Sequence, residues 1–161
     1  MVRLCTSSDA SALAQHLTTW ANQVGTTVRI DLNKIKAGLA DPNHLAIIDT
    51  ATNTFLLLNV DRTSHEVQVE SIFTDNATPL KIKSLLKDIC QRVLIKFPNS
   101  SGWHIWAEFL WGRDAQGNPD GGKSACLKFQ QLFPYATVKQ VSPENPKGQW
   151  IIEYTVGGIV A

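Results

Sequence analysis

The order in which two hydrophobic periods alternate along these 161 residues constrains the fold more than any single motif does. Apolar residues first recur every three to four positions, through Ala10, Leu13, Ala14, Leu17, Trp20, Ala21 and Val24. That is the stripe of an amphipathic helix, with Ser8 or Asp9 as its cap and a short strand, Val2 to Cys5, before it. Leu32, Ile35 and Leu39 predict a short second helix, opened near Asp31 or Asn33 and closed by Asp41-Pro42. The period then drops to that of strands. Leu45 to Ile48 and Phe55 to Leu58 are compact apolar runs around the polar turn 49–53, and 61–65 forms a second turn. Glu66 to Phe73 alternates, which puts Val67, Val69, Ser71 and Phe73 on one face and Glu66, Gln68, Glu70 and Ile72 on the other.

The strongest local signal comes next. Thr78 is suited to cap a helix, and Pro79 fits its first position, where a missing N–H leaves nothing unsatisfied. Ile82, Leu85, Leu86, Ile89, Val93 and Phe97 carry the stripe through five turns to Pro98. Trp103 to Trp111 predicts a strand with Trp106 and Leu110 opposite Trp103 and Trp111, hence covered on both faces. A polar, glycine-containing loop over 112–122 leads to a helix from Lys123 to Phe133. Ala136 to Val141 and Gln149 to Val156 form a terminal hairpin across the loop 142–148. Ile159-Val160-Ala161, after two glycines, is expected to fray or to anchor in a neighbouring subunit.

Composition narrows the function classes. Hydrophobic residues at 43% and charged residues at 18% fit a compact domain, and a net charge of +1 gives no basic footprint for nucleic acid. Met1-Val2-Arg3-Leu4-Cys5 runs into Thr6-Ser7-Ser8-Asp9 without the apolar stretch of a signal peptide, and no window is long and apolar enough for a membrane span. Cys5, Cys90 and Cys126 are scattered and read as reduced thiols of a cytoplasmic protein. The four histidines are equally dispersed, so no metal site is expected. The stretch from Gly117 to Ser124 satisfies the P-loop expression G-x-x-x-x-G-K-S, but no strand immediately precedes it. It reads as a turn in which Asp120 or Gly122 opens the last helix.

Taken in sequence, β-α-α-β-β-β-α-β-α-β-β resembles the GNAT acyltransferase superfamily over essentially the whole chain. The resemblance implies one α/β (α+β) domain over 1–161, a mixed sheet of about seven strands flanked by about four helices, with 157–161 as a flexible tail. In that family the fourth and fifth strands splay and the acyl thioester lies in the wedge. Here those strands are Glu66 to Phe73 and Trp103 to Trp111. The family's pyrophosphate loop, R/Q-x-x-G-x-G/A, corresponds to 75–84, which has no glycine, has Asp75 at its start and has Pro79 where an amide would donate. The family's later helix carries a tyrosine that protonates the leaving thiolate; the matching stretch, Ala125 to Phe133, holds Phe129 there.

These two departures direct the expectation to a non-catalytic binding or structural protein with no cofactor. The run from Ile82 to Trp106, followed by a short helix and a hairpin, looks like virion-associated or morphogenesis proteins of short-tailed bacteriophages. That resemblance implies protein partners, a homo-oligomer or a phage assembly, in host cytoplasm or virion. The alternative is an acetyl-coenzyme A-dependent N-acyltransferase with an atypical loop. In it Glu70 or Glu108 serves as base and water or Tyr135 as acid. Main-chain groups near Ile72 and Thr74 then hold the pantetheine arm, and Thr78, Lys81 and Lys83 the phosphates.

Overall fold

The structure, a computed structural model, describes residues 1–25, 27–74, 76–109, 114–141 and 149–161, with Val24 described in backbone only. Strands β1 (Val2–Leu4), β2 (His44–Asp49), β3 (Thr54–Asp61), β4 (Glu66–Phe73), β5 (His104–Phe109), β6 (Thr137–Gln140) and β7 (Trp150–Thr155) form one mixed sheet. The helices are α1 (Ala10–Val24), α2 (Leu32–Ala40), α3 (Pro79–Lys96), α4 (Lys123–Leu132) and α5 (Val156–Val160). The sheet order is β1-β2-β3-β4-β5-β7-β6, and β4 with β5 is its parallel pair. The intervening α3 makes the crossover that a parallel pair requires. None of the helices among the described residues is long and apolar enough to cross a membrane.

Local chemistry accounts for the element boundaries. Thr78 accepts the Lys81 amide through its hydroxyl and Pro79 opens α3, as the sequence predicts. The Asp31 carboxylate caps α2 by accepting from the Asn33 and Lys34 amides. Gly25 ends α1 in the left-handed region at φ 73°, where a side chain would be strained. The strand expected over Trp103 to Trp111 spans His104–Phe109, and Leu110 and Trp111 lie outside the described residues, as does the hairpin loop 142–148.

Two layers cover the sheet. On one face Leu85, Leu86, Ile89 and Val93 of α3, Cys126 of α4 and Ile159 of α5 join Leu45, Ile47, Leu56, Leu58, Val67 and Ile105 in the larger core. On the other face Leu13 of α1 with Ile35 and Leu39 of α2 pack on Ile48, Phe55 and Phe73. The tail departs from expectation. Residues 156–160 are helical, capped by the Thr155 hydroxyl on the Gly158 amide, and Val156 and Ile159 are buried. Glycine makes this short helix possible through close approach: the Gly157 amide donates to the Ser101 carbonyl at 2.7 Å, and a Cβ on Gly157 would stand 2.9 Å from that oxygen.

Alternation along β4 also differs from the sequence reading. Leu58 pairs with Val69 but Leu57 with Ser71, so Glu70 is an extra residue, a β-bulge. Beyond it the phase shifts by one. Val67, Val69 and Ile72 pack with the α3 side, whereas Ser71 and Phe73 face α1 and α2. His16 of α1 accordingly lies edge-on to Phe55 at 5.4 Å and stacks on Phe73 at 6.0 Å between ring centres.

Candidate active site

The bulge sits where the sheet opens. Strands β4 and β5 pair through only three residues each, Glu66 with His104, Val67 with Ile105 and Gln68 with Trp106. From Val69 onward the β5-facing edge of β4 has no strand partner among the described residues. An unpaired edge offers backbone donors and acceptors in a row, which an extended amide-bearing ligand can match as an added strand would.

Two cavities flank the opening on opposite faces. The first, a narrow one of about 50 Å³, lies in the gap between Val69 and Ile72 of β4 and Ala107 and Phe109 of β5. Its back wall is Phe129 and Phe133 beside α3, and Ile152, Tyr154 and Ile159 close it. Phe109 and Phe129 meet with ring centres 5.4 Å apart, and the aromatic side chains narrow the gap to room for a few water molecules. The second cavity, about 260 Å³, lies under α1 and α2, against Leu57, Glu70, Ser71 and Phe73. Consecutive residues Glu70 and Ser71 thus line the same cavity while Val69 and Ile72 line the other, which is the work of the bulge.

Glu70 is half-exposed, and its Oε2 lies 3.6 Å from His44 Nε2. His44, at the start of β2, has Nδ1 3.3 Å from Asp41 Oδ2. Asp41 is in turn fixed by accepting the Asn43 amide at 2.8 Å. A carboxylate next to an imidazole can take a proton from an ammonium group and pass it on. The sequence reading singled out Glu70 but not His44, because the two come together only through the β2-β3-β4 pairing. Glu108, the second candidate base, is exposed on β5 and borders neither cavity. Tyr135 is 87% exposed beyond the end of α4 and lines neither cavity. Tyr154 lies in the first cavity, with the phenol that the α4 position lacks at Phe129. It belongs to no sequence motif, and only the pairing of β7 with β5, which sets Tyr154 opposite Ile105, brings it there.

The loop from β4 to α3 is held by hydroxyl groups in place of glycines. Thr74 Oγ1 meets Thr54 Oγ1 at 2.8 Å and accepts the Ala77 amide at 2.9 Å. Thr54 Oγ1 lies 2.8 Å from Thr52 Oγ1, which donates to the buried Asp49. Lys81 Nζ stands 3.6 Å from the same carboxylate. The Thr52 hydroxyl, with Lys81 and the chain's amino group as further contributors, holds the Asp49 carboxyl below its usual range against the effect of burial. Lys83 Nζ lies over the Phe133 ring at 5.7 Å. Ile72 lines the first cavity, Thr74 and Thr78 are exposed at the loop, and Asp75 lies outside the described residues. The unpaired edge and apolar gap offer amide-pairing backbone groups beside hydrocarbon, the chemistry an acyl and pantetheine portion would need. The phosphate end meets no glycine cradle, since Thr78 already engages the Lys81 amide and Pro79 has none.

The resemblance to a P-loop has a different origin. Asp120 accepts the Gly122 amide at 2.9 Å and the Ser124 amide at 3.0 Å, so the amides that would face phosphate are engaged by a side chain. The three cysteines are free, and burial pushes the thiols of Cys5 and Cys90 up to about 12 and that of Cys126 up to about 11. They are protonated at neutral pH and unsuited to nucleophilic work.

No protein-family model and no curated protein sequence matches the chain. Solved structures do. An acetyltransferase of the GNAT family from Staphylococcus aureus Mu50 superposes with a TM-score of 0.63 at 14% identity, over 97% of this chain and 98% of that one. Aminoglycoside 6'-N-acetyltransferase from Enterococcus faecium gives 0.60 at 10% identity, over 97% of each chain. A mutant spermidine N-acetyltransferase from Vibrio cholerae gives 0.58 at 8% identity, over 99% and 97%. These likenesses overturn the expectation of a non-catalytic structural protein or phage component. The three chains superposed here, alike from end to end, are acetyltransferases. The chain has the fold of the GNAT acetyltransferases.

Proposed function

We propose that this protein is an acyl-coenzyme A-dependent N-acyltransferase. The observation that carries the reading is the parting of β4 and β5 after three pairs, with a bulge at Glu70 and a cavity on each face of the opening. Acetyl-coenzyme A is the cofactor the fold implies, and a cytoplasmic location would supply it. Ile72 and Thr74 border the pantetheine arm, and Thr78, Lys81 and Lys83 lie toward the phosphates. Lys83 is the freer of the two ammonium groups, since Lys81 already faces Asp49.

With an acyl thioester bound, Glu70, with His44 beside it, would take a proton from the acceptor ammonium. The freed nitrogen would form the C–N bond as the C–S bond breaks, and would then shed its second proton to solvent. Tyr154 would give a proton to the departing sulfur and regain one from solvent. The products would be one amide, one free thiol and one released proton. Exclusion of water by Phe109, Phe129 and Phe133 strengthens the electrostatic contacts in the gap. Calorimetric titration with acetyl-coenzyme A tests the reading. Micromolar binding, weakened in K83A, supports it; no heat at millimolar ligand overturns it.

A further inference from the structure

We infer that the acceptor is a small amine of single positive charge with an apolar body, such as an arylalkylamine, and neither a polyamine nor an aminosugar. The inference rests on the acyl-transfer reading above and concerns the second cavity alone. Its walls are hydrocarbon: Leu13 and Leu17 from α1, Ile35 and Leu39 from α2, Leu57 and Phe73 from the sheet. Among the described residues, the charged side chains that line it are Glu70 and Lys34, with His44 between sheet and helix. Asp41 lies beside His44 at 3.3 Å and accepts the Asn43 amide, but it does not line the cavity. The cavity therefore offers one carboxylate to one ammonium.

A polycation needs more. Each further ammonium drawn beneath α1 and α2 would lose water without meeting an anion, and burial of an unpaired charge is strongly unfavourable. Lys34 adds direct repulsion. A multiply hydroxylated aminosugar would leave its hydroxyl groups against leucine side chains, with the same penalty in smaller steps. An aryl or branched alkyl group instead gains from contact with Leu17, Leu39 and Phe73 while its ammonium meets Glu70. The volume, about 260 Å³ and open to solvent, is just below the range of drug-sized sites and suits a small amine. The acceptors named for the structures of like fold, an aminoglycoside and spermidine, are of the class this cavity disfavours.

The test measures thiol release from acetyl-coenzyme A by the full chain with 2-phenylethylamine, spermidine and kanamycin, alongside calorimetric binding of acetyl-coenzyme A. The expected kcat/KM for phenylethylamine exceeds that for spermidine at least about tenfold, the scale of one mismatched charge or methylene group. Lys34 is exposed on α2, so K34E folds normally; with two carboxylates facing the cavity, it should move the ratio toward spermidine by about tenfold. Faster turnover of spermidine or kanamycin, or an unmoved ratio in K34E, overturns the inference and leaves acyl transfer standing. Binding of acetyl-coenzyme A without turnover of phenylethylamine has the same meaning. Failure to bind acetyl-coenzyme A overturns both.

Discussion

Gly122 lies against Phe109 so closely that a Cβ on the glycine would stand 2.3 Å from the Phe109 Cβ. The same residue has φ 89°, which disfavours any side chain. In G122A the left-handed backbone costs about 1 kcal/mol, and the forced retreat of Phe109 adds about 1–3 kcal/mol. The denaturation midpoint should fall accordingly, with an unchanged denaturant slope. Because Phe109 also walls the gap between β4 and β5, binding of acetyl-coenzyme A should weaken in parallel.

Lys81 and Asp49 give a second test. Removing the ammonium in K81A leaves a buried carboxylate with the Thr52 hydroxyl and the chain's amino group as partners. Lys81 is itself partly in water, so the loss is about 1 kcal/mol. The thermal midpoint should drop slightly in K81A and stay put in K83A. A fall in coenzyme affinity common to both would then reflect lost charge at the loop, while a fall in K81A alone would follow from loosening of the loop.

Acid stability should depend on Asp9. The two terminal nitrogens of the Arg3 guanidinium donate to its carboxylate, at 2.8 and 2.9 Å, and the Thr6 amide donates at 2.8 Å. The Arg3 hydrogen bonds hold the Asp9 carboxyl below its ordinary value despite its burial. A carboxyl depressed on folding stabilises the native state fully above its unfolded value of about 3.9. The contribution is lost as pH falls below that point and through the folded value. Unfolding curves taken between about pH 6 and pH 2, conditions set about the ordinary carboxylate value, should therefore show a steeper acid loss in the natural chain than in D9N.

Glu70 and Tyr154 should separate in their kinetic effects. E70Q removes a base and should lower kcat/KM for the amine about a hundredfold at neutral pH. Y154F keeps the ring on Gly158, where a glycine Cβ would lie 2.2 Å from it, and should lower kcat with little change in stability. E108Q, on the exposed face of β5, should alter neither constant. Retained activity in Y154F would assign the thiolate's proton to water.

Helices and turns with their own local chemistry were legible in the residues: Thr78-Pro79 opens α3, and the stripe from Leu85 to Val93 is its buried face. The sheet's apolar runs were legible for the same reason, since period and turn chemistry act over a few residues. The bulge was not. Val69-Glu70-Ser71-Ile72 alternates smoothly on paper, and only the pairing with Leu57 and Leu58 reveals the extra residue. The helical tail was hidden by its glycines, which are poor helix formers alone but here admit Ser101 and the Tyr154 ring at close range. At the site, Phe129 leaves α4 without a phenol, and the non-catalytic reading drawn from it did not hold. Tyr154 and His44 arrive from distant strands, so no local pattern announces them.

The bulge decides which side of β4 each residue beyond it faces. Were it ironed out with Glu70 kept in the ladder opposite Leu57, every side chain after it would exchange sides. Ile72 would turn toward the cavity under α1 and α2 and Ser71 toward the gap beside β5, with no change in composition. Loss of Glu70 itself would instead let the ladder run unbroken with Ser71, Ile72 and Phe73 where they are. A single-codon deletion there is thus the smallest genetic change that would remove the carboxylate and straighten the strand while leaving every other side chain on its present side.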